Sequence, residues 1–282
     1  MQRGLRRIAK KTTLLVVLWV PLLVYLVFLL FPLVWMFLTS IKTQADIYAS
    51  PLVYWPETIT LETYRNLFGY FGFVRYIVNS LVVASMTVVV SLSVSTLAAY
   101  AFARYKFKGR TFLLGLFLSN NMFPIVLLMI PLYSIMRTLG LLHSLGGMVI
   151  AYTTFTIPFS VWLIQGFIRD IPSSIEEAAR IDGCSRTQAF LLVFLPLLAP
   201  GLLAASVYMF MQAWNEYTMA SLFTNPATRT IPVALNSLIG QLGVEWDMLS
   251  AGGTFAVIPV CVLFFVAQKR LVSGLTSGAV KG

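Results

Sequence analysis

Six apolar stretches, each about as long as a helix that crosses a bilayer, constrain this chain more than any other feature. They run over roughly 13–38, 77–100, 112–136, 148–168, 191–213 and 251–268, and a helix needs about 20 apolar residues to span the hydrocarbon core. In lipid every backbone N–H and C=O must be satisfied within the segment, so such a stretch is expected to be helical. Pro124, Pro131 and Pro158 fall inside the third and fourth stretches, which membrane helices tolerate when neighbours satisfy the freed carbonyls. Only 11% of the residues are charged and 59% are apolar, against about 25% charged in soluble domains. The expected fold class is an all-α membrane protein with six transmembrane helices.

Charge placement orients the spans. With the N-terminus inside, the cytoplasmic segments hold Arg3, Arg6, Arg7, Lys10, Lys11, Arg104, Lys106, Lys108, Arg110, Arg169, Arg180, Arg186, Lys269, Arg270 and Lys281, which is 15 of the 20 basic residues. Lys42, Arg65, Arg75, Arg137 and Arg229 fall outside, with six of the ten acids. The positive-inside rule then expects both termini in the cytoplasm, since an odd number of spans would put Lys269 and Arg270 outside. The first apolar run, about 26 residues from Thr13 to Leu38, exceeds the 7–15 of a signal-peptide core, so it reads as an uncleaved span. The net charge of +10 is spread between apolar runs instead of forming a patch, which argues against nucleic acid. Cys184 and Cys261 form no disulfide framework and read as unpaired. The expected organisation is a cytoplasmic N-terminus over 1–12, a six-span domain over 13–268 with a cytoplasmic loop at 169–196, and a cytoplasmic tail over 269–282.

That loop reads Ile171-Pro172-Ser173-Ser174-Ile175-Glu176-Glu177-Ala178-Ala179-Arg180-Ile181-Asp182-Gly183-Cys184-Ser185-Arg186. Pro172 stops the preceding span. Ser173 with Glu176, or Ser174 with Glu177, has the spacing of a capping box that would start a new helix, with acids where the dipole favours them. Gly183 suits a left-handed end, and 185–195 would resume a helix into span five, with Pro196 just inside it. Ala178 and Ala179, expected on the surface, would let a partner approach closely, while Glu177, Arg180 and Asp182 would fix its orientation. Docking in a groove of another protein and lying on the inner leaflet both fit these residues.

Glu177-Ala178-Ala179, Gly183 and Val193-Phe194-Leu195-Pro196 resemble the EAA loop of bacterial binding-protein-dependent ABC importers: E-A-A, three residues, G, nine residues, then I-x-L-P. Val193 replaces the usual Ile. Phe31-Pro32-Leu33 with Lys42-Thr43, Asn79-Ser80-Leu81, Ala99-Tyr100-Ala101, Trp214-Asn215-Glu216-Tyr217 and Gly278-Ala279-Val280-Lys281-Gly282 are similar to the carbohydrate-uptake, maltose-type branch, in particular its smaller six-span permease. The resemblance implies the type I ABC importer permease architecture in a bacterial or archaeal plasma membrane. It implies a homologous second permease subunit, two ATP-binding subunits and an extracytoplasmic solute-binding protein as partners, beside membrane lipid. It implies that Glu177, Ala178, Ala179, Arg180, Asp182 and Gly183 contact the ATPase, and that Val280, Lys281 and Gly282 offer a tail contact. No cofactor is then expected on this chain; ATP and Mg belong to the partner ATPase subunits.

No G-x-x-x-x-G-K-[ST] occurs in the chain, so energy is expected from a partner or from a gradient. No span carries an Asp or Glu near its middle, which disfavours a gradient-driven carrier, whose coupling carboxylates usually sit there. A non-transporting membrane scaffold is the remaining alternative. His143 is the lone histidine, no metal cluster is apparent, and no catalytic triad stands out, so the chain reads as a transport subunit and not an enzyme.

Translocation-path candidates are few. Asn120 and Asn121 lie one turn before Pro124; amides at that depth must face protein or water. Trp214, Asn215 and Tyr217 close span five on its outer side, where aromatic residues suit both the interfacial belt and stacking on sugar rings. Ser80, Ala84, Thr87, Ser91, Ser95 and Ala98 form one small face of span two, which favours close helix packing over pore lining. Met122, Met129 and Met136 repeat every seven residues, as a subunit seam or ordinary packing.

Overall fold

The computed structural model describes residues 2–120, 122–241 and 243–279, with side chains over 17–120, 122–241 and 243–268. Residue contacts divide the chain into two units, Met1–Phe71 with Leu238–Phe255, and Gly72–Ser237 with Ala256–Gly282. Among the described residues, four helical stretches are long and apolar enough to cross a membrane: Val17–Ser40, Phe73–Arg104, Leu145–Asp170 and Trp246–Gln268. Two bent helix pairs bring the count to six if each is one span.

The first unit opens with α1 (Gln2–Ser40), which contains Pro21 and Pro32 without ending at either. Its side chains from Val17 to Leu33 are exposed, as expected of a helix solvated by lipid. A turn at Ile41-Lys42 leads to α2 (Gln44–Ile47), where Thr43 caps the helix by accepting the Asp46 N–H at 3.2 Å. This satisfies one of the orphan donors of a helix start. α3 (Glu62–Phe68) follows. The Phe255 ring meets Phe68 and Tyr64 edge-on, with centroids 4.9 and 5.9 Å apart, and the hydroxyls of Tyr64 and Ser40 are hydrogen-bonded at 2.6 Å. A two-stranded antiparallel ladder, β1 (Ile239–Gly240) and β2 (Gly243–Val244), pairs Ile239 with Val244. The Tyr48 hydroxyl donates to the Val244 carbonyl at 2.8 Å.

The second unit is built on α4 (Phe73–Arg104) and α7 (Leu145–Asp170). The small face of α4 is its packing seam. Ser80, Ala84, Thr87, Ser91 and Ser95 are buried, and the Ser91 hydroxyl bonds that of Thr156 on α7 at 2.7 Å. In lipid, where burying apolar area drives nothing, such close packing and interhelical hydrogen bonds hold helices together. A buried cluster of Ala99, Phe102, Val161, Ile164, Ile168, Phe194, Leu198, Ala205 and Met209 joins these helices to α11 (Ala199–Asn215). Gly201 on α11 faces Phe167; a Cβ there would lie 2.6 Å from the ring, so only glycine permits this approach.

Two spans differ from the sequence expectation. The third is not one helix over 112–136 but α5 (Arg110–Asn120) and α6 (Ile125–Thr138), which meet at 97°. Pro124 occupies the N-cap of α6: lacking an N–H, proline starts a helix well and continues one poorly. The fifth is bent by 72° at Leu198. Its first leg comprises α9 (Arg186–Gln188), a π-helical turn over Ala189–Phe194 and α10 (Leu195–Leu197). Pro196 and Pro200 flank the bend. Pro196 crowds the carbonyl four residues back, which the π turn accommodates, while Pro200 lies in the first turn of α11, where a missing N–H costs nothing and a new helix starts well. Of the methionine stripe, Met129 and Met136 are buried while Met122 is 82% exposed.

Candidate functional site

The loop between α7 and α11 holds the site. α7 ends at Asp170, Ile171 turns extended, and Pro172 sits at the N-cap of α8 (Ser173–Ile181). Pro172 has φ −59°, and Ser173 is already helical. A capping serine must be outside the helix, so neither Ser173 nor Ser174 forms the expected capping box, and no side chain caps α8. The box lies one helix later: Ser185 accepts from the Gln188 N–H, and the Gln188 side chain accepts from the Ser185 N–H.

Glu176 has a different task. One carboxylate oxygen accepts from Arg104 Nε and the other from the Tyr100 hydroxyl, both at 2.6 Å. Arg104 also donates to the Ile171 carbonyl at 2.9 Å. The Arg104 and Glu176 side chains are 16% and 13% exposed. Below them Phe194 is fully buried, with the Arg104 guanidinium 5.2 Å from its ring centroid and Tyr100 edge-on at 5.2 Å. Three separate motifs therefore meet here: the tyrosine of Ala99-Tyr100-Ala101, the loop acid, and the phenylalanine of Val193-Phe194-Leu195-Pro196.

The end of α8 follows the sequence expectation. Gly183 has φ +92°, the left-handed conformation that side-chain-bearing residues resist. The Gly183 N–H reaches the Arg180 carbonyl at 3.2 Å and the Cys184 N–H reaches the Ala179 carbonyl at 3.0 Å, the pair of bonds of a Schellman end.

Anchoring sorts the residues of α8. Glu177, Ala178, Arg180, Asp182 and Gly183 are exposed. Ala179, expected on the surface beside Ala178, is 7% exposed and turned inward, one helical turn from Glu176 on the same face. Ile181, passed over in the sequence, is 86% exposed. A cleft of about 210 Å³ runs along the anchor, lined by Tyr100, Arg104, Glu176, Glu177, Arg180 and Arg186 among others. Sequence reading missed Arg104 as an anchor because it counted as one more positive-inside charge. The sign that could have exposed it is that no acid lies within a turn of Arg104, while Glu176 shares a face with Ala179.

The path candidates lie elsewhere. Asn120 is half-buried at the end of α5; Asn121, Val280, Lys281 and Gly282 lie outside the described residues. Trp214 is 4% exposed, donates its indole N–H to the Ala256 carbonyl at 3.2 Å and stacks on Phe210. Asn215 bonds back to the Met211 carbonyl, and Tyr217 to Asn236. Glu216 accepts the Met219 and Ala220 N–H groups at 2.8 and 3.0 Å and the Tyr152 hydroxyl at 2.8 Å, so it caps α12 (Thr218–Phe223). Asn79 donates to the carbonyls of Ala227 and Arg229, and Ser80 accepts the Ile231 N–H at 2.8 Å, which fastens the segment before α13 (Ile231–Asn236) to the start of α4. Cys184 and Cys261 are both free.

Fold and site together define a multi-pass helical membrane protein with an anchored, exposed loop helix. The model of the binding-protein-dependent transport system inner membrane component matches residues 91–277, and the chain belongs to that family. It is 38% identical over 254 residues to the sulfoquinovosyl glycerol transport system permease protein SmoH of Agrobacterium fabrum, covering 90% of this chain and 89% of that one. It is 37% identical over 256 residues to the trehalose transport system permease protein SugB of Mycobacterium tuberculosis, covering 90% and 93%. Among solved structures, a chain of a bacterial ABC transporter involved in the import of the acidic polysaccharide alginate aligns with a TM-score of 0.79 at 25% identity, over 92% of this chain and 97% of that one. The type I importer permease architecture follows, and the chain is the transport subunit of an ATP-driven, binding-protein-dependent importer, not its enzyme. The gradient-driven carrier and the scaffold find no support in these comparisons.

Proposed function

We propose that this permease carries an oligosaccharide or related sugar inward through alternating access, and that α8 couples it to its ATPase. The anchored loop carries the coupling reading. Arg104 and Tyr100 grip Glu176 on the inward face, which leaves Glu177, Ala178, Arg180 and Ile181 free on the other. A helix gripped from one side transmits a push; a free one would swing. Ala178 lets a groove close on the backbone, Ile181 supplies an apolar contact that water does not favour, and Glu177, Arg180 and Asp182 orient it. ATP and Mg are held by two partner subunits, with a homologous second permease beside this one and a solute-binding protein delivering the cargo. Both termini are cytoplasmic, and the C-terminal residues Val280, Lys281 and Gly282 reach the same ATPase. The sugar class is supported by the permeases for sulfoquinovosyl glycerol and trehalose to which the chain is more than one-third identical.

The test pairs Glu177→Ala with Ile181→Ser in the assembled transporter. ATP-dependent sugar uptake is expected to fall at least tenfold, and less ATPase to co-purify. Unchanged values for both would remove α8 from the coupling path. Ligand identification on the cognate binding protein tests the sugar class separately.

A further inference from the structure

The first unit contains a cavity of about 480 Å³ that the coupling site does not use. Trp35, Met36 and Thr39 of α1, Lys42, Asp46 and Leu52 after it, and Trp246, Leu249 and Ser250 at the start of α14 (Trp246–Ala279) line it. Its size is that of a small-molecule pocket, and its mix of apolar wall and a few polar groups is typical of one.

The polar groups are unusual. Thr39, Lys42, Asp46 and Ser250 are 8, 2, 8 and 8% exposed. Thr39 Oγ1 and Asp46 Oδ2 are buried without a hydrogen-bond partner, whereas buried polar atoms are ordinarily paired. Lys42 donates to the Val53 carbonyl at 2.6 Å and lies 4.3 Å from the Trp35 ring centroid, and it forms no ion pair with Asp46 four residues on. A lysine has three N–H donors, so donor capacity remains. The wall thus offers an ammonium, an unpaired carboxylate oxygen and a hydroxyl, beside indoles.

This set selects its ligand. An anion would meet the buried Asp46 carboxylate, and a cation the buried Lys42 ammonium. A neutral molecule rich in hydroxyls donates to Asp46 and Thr39 and accepts from Lys42 at once, and the Asp46 carboxylate turns about a soft torsion to meet it. One face of Trp35 is occupied by Lys42, but Trp246 is 48% exposed and offers a flat platform for the C–H face of a ring. We propose that this cavity binds one pyranose unit of a neutral sugar, a site distinct from the coupling loop. It rests on the sugar reading above.

The test uses the intact transporter in nanodiscs, without its solute-binding protein, titrated with trehalose and with maltose and followed by saturation-transfer NMR. Saturable binding is expected, weakened at least tenfold in Asp46→Asn and in Trp246→Ala, both judged folded by an unchanged melting temperature. Cys261→Ser, exposed and outside the cavity, should bind like the parent. Three results overturn the site: no saturable binding by the parent, an affinity equal to the parent's in either variant, or a retained phospholipid seen by native mass spectrometry that Trp246→Ala releases. Import by the complete system separates the two readings. If the system imports no sugar, the sugar reading falls and the site with it. If sugar import and sugar binding persist unchanged in both variants, the cavity proposal alone falls.

Discussion

The two ends of α4 hold their loops by opposite means. At Arg104 and Tyr100 the helix grips the Glu176 carboxylate, and its one bond to the loop backbone among the described residues is from Arg104 to the Ile171 carbonyl, ahead of α8. At Asn79 and Ser80 it grips the backbone of 227–231, through the carbonyls of Ala227 and Arg229 and the N–H of Ile231. A backbone grip fixes a path whatever side chains the loop carries. A single charged grip fixes one point and one face and leaves the rest of the helix unclaimed. The first suits a segment that must stay put, the second a segment that a partner moves.

The largest effect should come from breaking the charged grip. Arg104→Ala leaves the Glu176 carboxylate mostly buried beside a lone tyrosine hydroxyl and frees the Ile171 carbonyl. Removing one partner of such a pair costs about 3 kcal/mol. Amide exchange over 173–181 should rise by two orders of magnitude or more, and ATP-driven uptake should be nearly lost. Glu176→Gln, which keeps hydrogen bonds but not the charge, should fall between. Equal exchange in all three proteins would mean that α8 is held by packing against the π-helical turn instead.

The backbone grip is the next to test. Asn79→Ala leaves two carbonyls without their donor, at about 2 kcal/mol for unsatisfied buried groups. Asn79→Asp should be worse, because an acceptor-only carboxylate would face two carbonyl oxygens. Thermal unfolding and limited proteolysis across 224–230 should report this order, with uptake falling less than in Arg104→Ala. If Asn79→Asp matched the parent, the loop would be held elsewhere.

What the sequence revealed of these grips follows from their range. The fold class and the break at Gly183 depend on local composition and local φ, and both are legible in the sequence; the count of six spans holds only if each bent pair is one span. In sequence Glu176 reads as a capping acid because its nearest hydroxyls are those of Ser173 and Ser174; its real partners lie 72 and 76 residues away. Ala179, expected outside, lies inside for the same cause, since a face is defined by what covers it. The bends at Leu198 and before Ile125 were hidden because hydropathy counts apolar residues and ignores which carbonyl a proline crowds. Trp214 and Glu216 read as outward aromatic and acidic ends, yet the Trp214 indole N–H meets the carbonyl of Ala256 and the Tyr152 hydroxyl meets Glu216, 42 and 64 residues away and without a local pattern; the Glu216 bonds to the Met219 and Ala220 N–H groups are local, and a capping reading of Glu216 could have found them.

Gly183 offers the subtler conformational test at the charged end. Nothing lies within 4 Å of a Cβ added there, so Gly183→Ala acts through backbone strain alone, about 1 kcal/mol at this positive φ. Asn tolerates the left-handed region better than Ala, so Gly183→Asn should be milder, and a β-branched Val should be worse than Ala. Uptake should decline in the order Gly, Asn, Ala, Val, by a few-fold for Ala, while thermal unfolding of the unit barely moves. That separation, transport sensitive and stability indifferent, is what a moving loop predicts and a fixed one does not.

The smallest expected effect lies at the outer end. Tyr152→Phe deletes the hydroxyl that donates to Glu216, but the Glu216 carboxylate keeps the N–H groups of Met219 and Ala220, so α12 keeps its cap. One such hydrogen bond is worth about 1 kcal/mol, and the ring, buried to 2% exposure, keeps its packing. The melting temperature should drop by a few degrees at most and uptake should hold. Glu216→Gln tests the same cap from the other side. Its amide retains one acceptor oxygen for the two backbone donors, so it should cost more than Tyr152→Phe and less than Asn79→Asp. If Tyr152→Phe instead abolished uptake without moving stability, the Tyr152–Glu216 bond would be a moving part, and the outer end of this unit would be no more fixed than the helix that Arg104 holds.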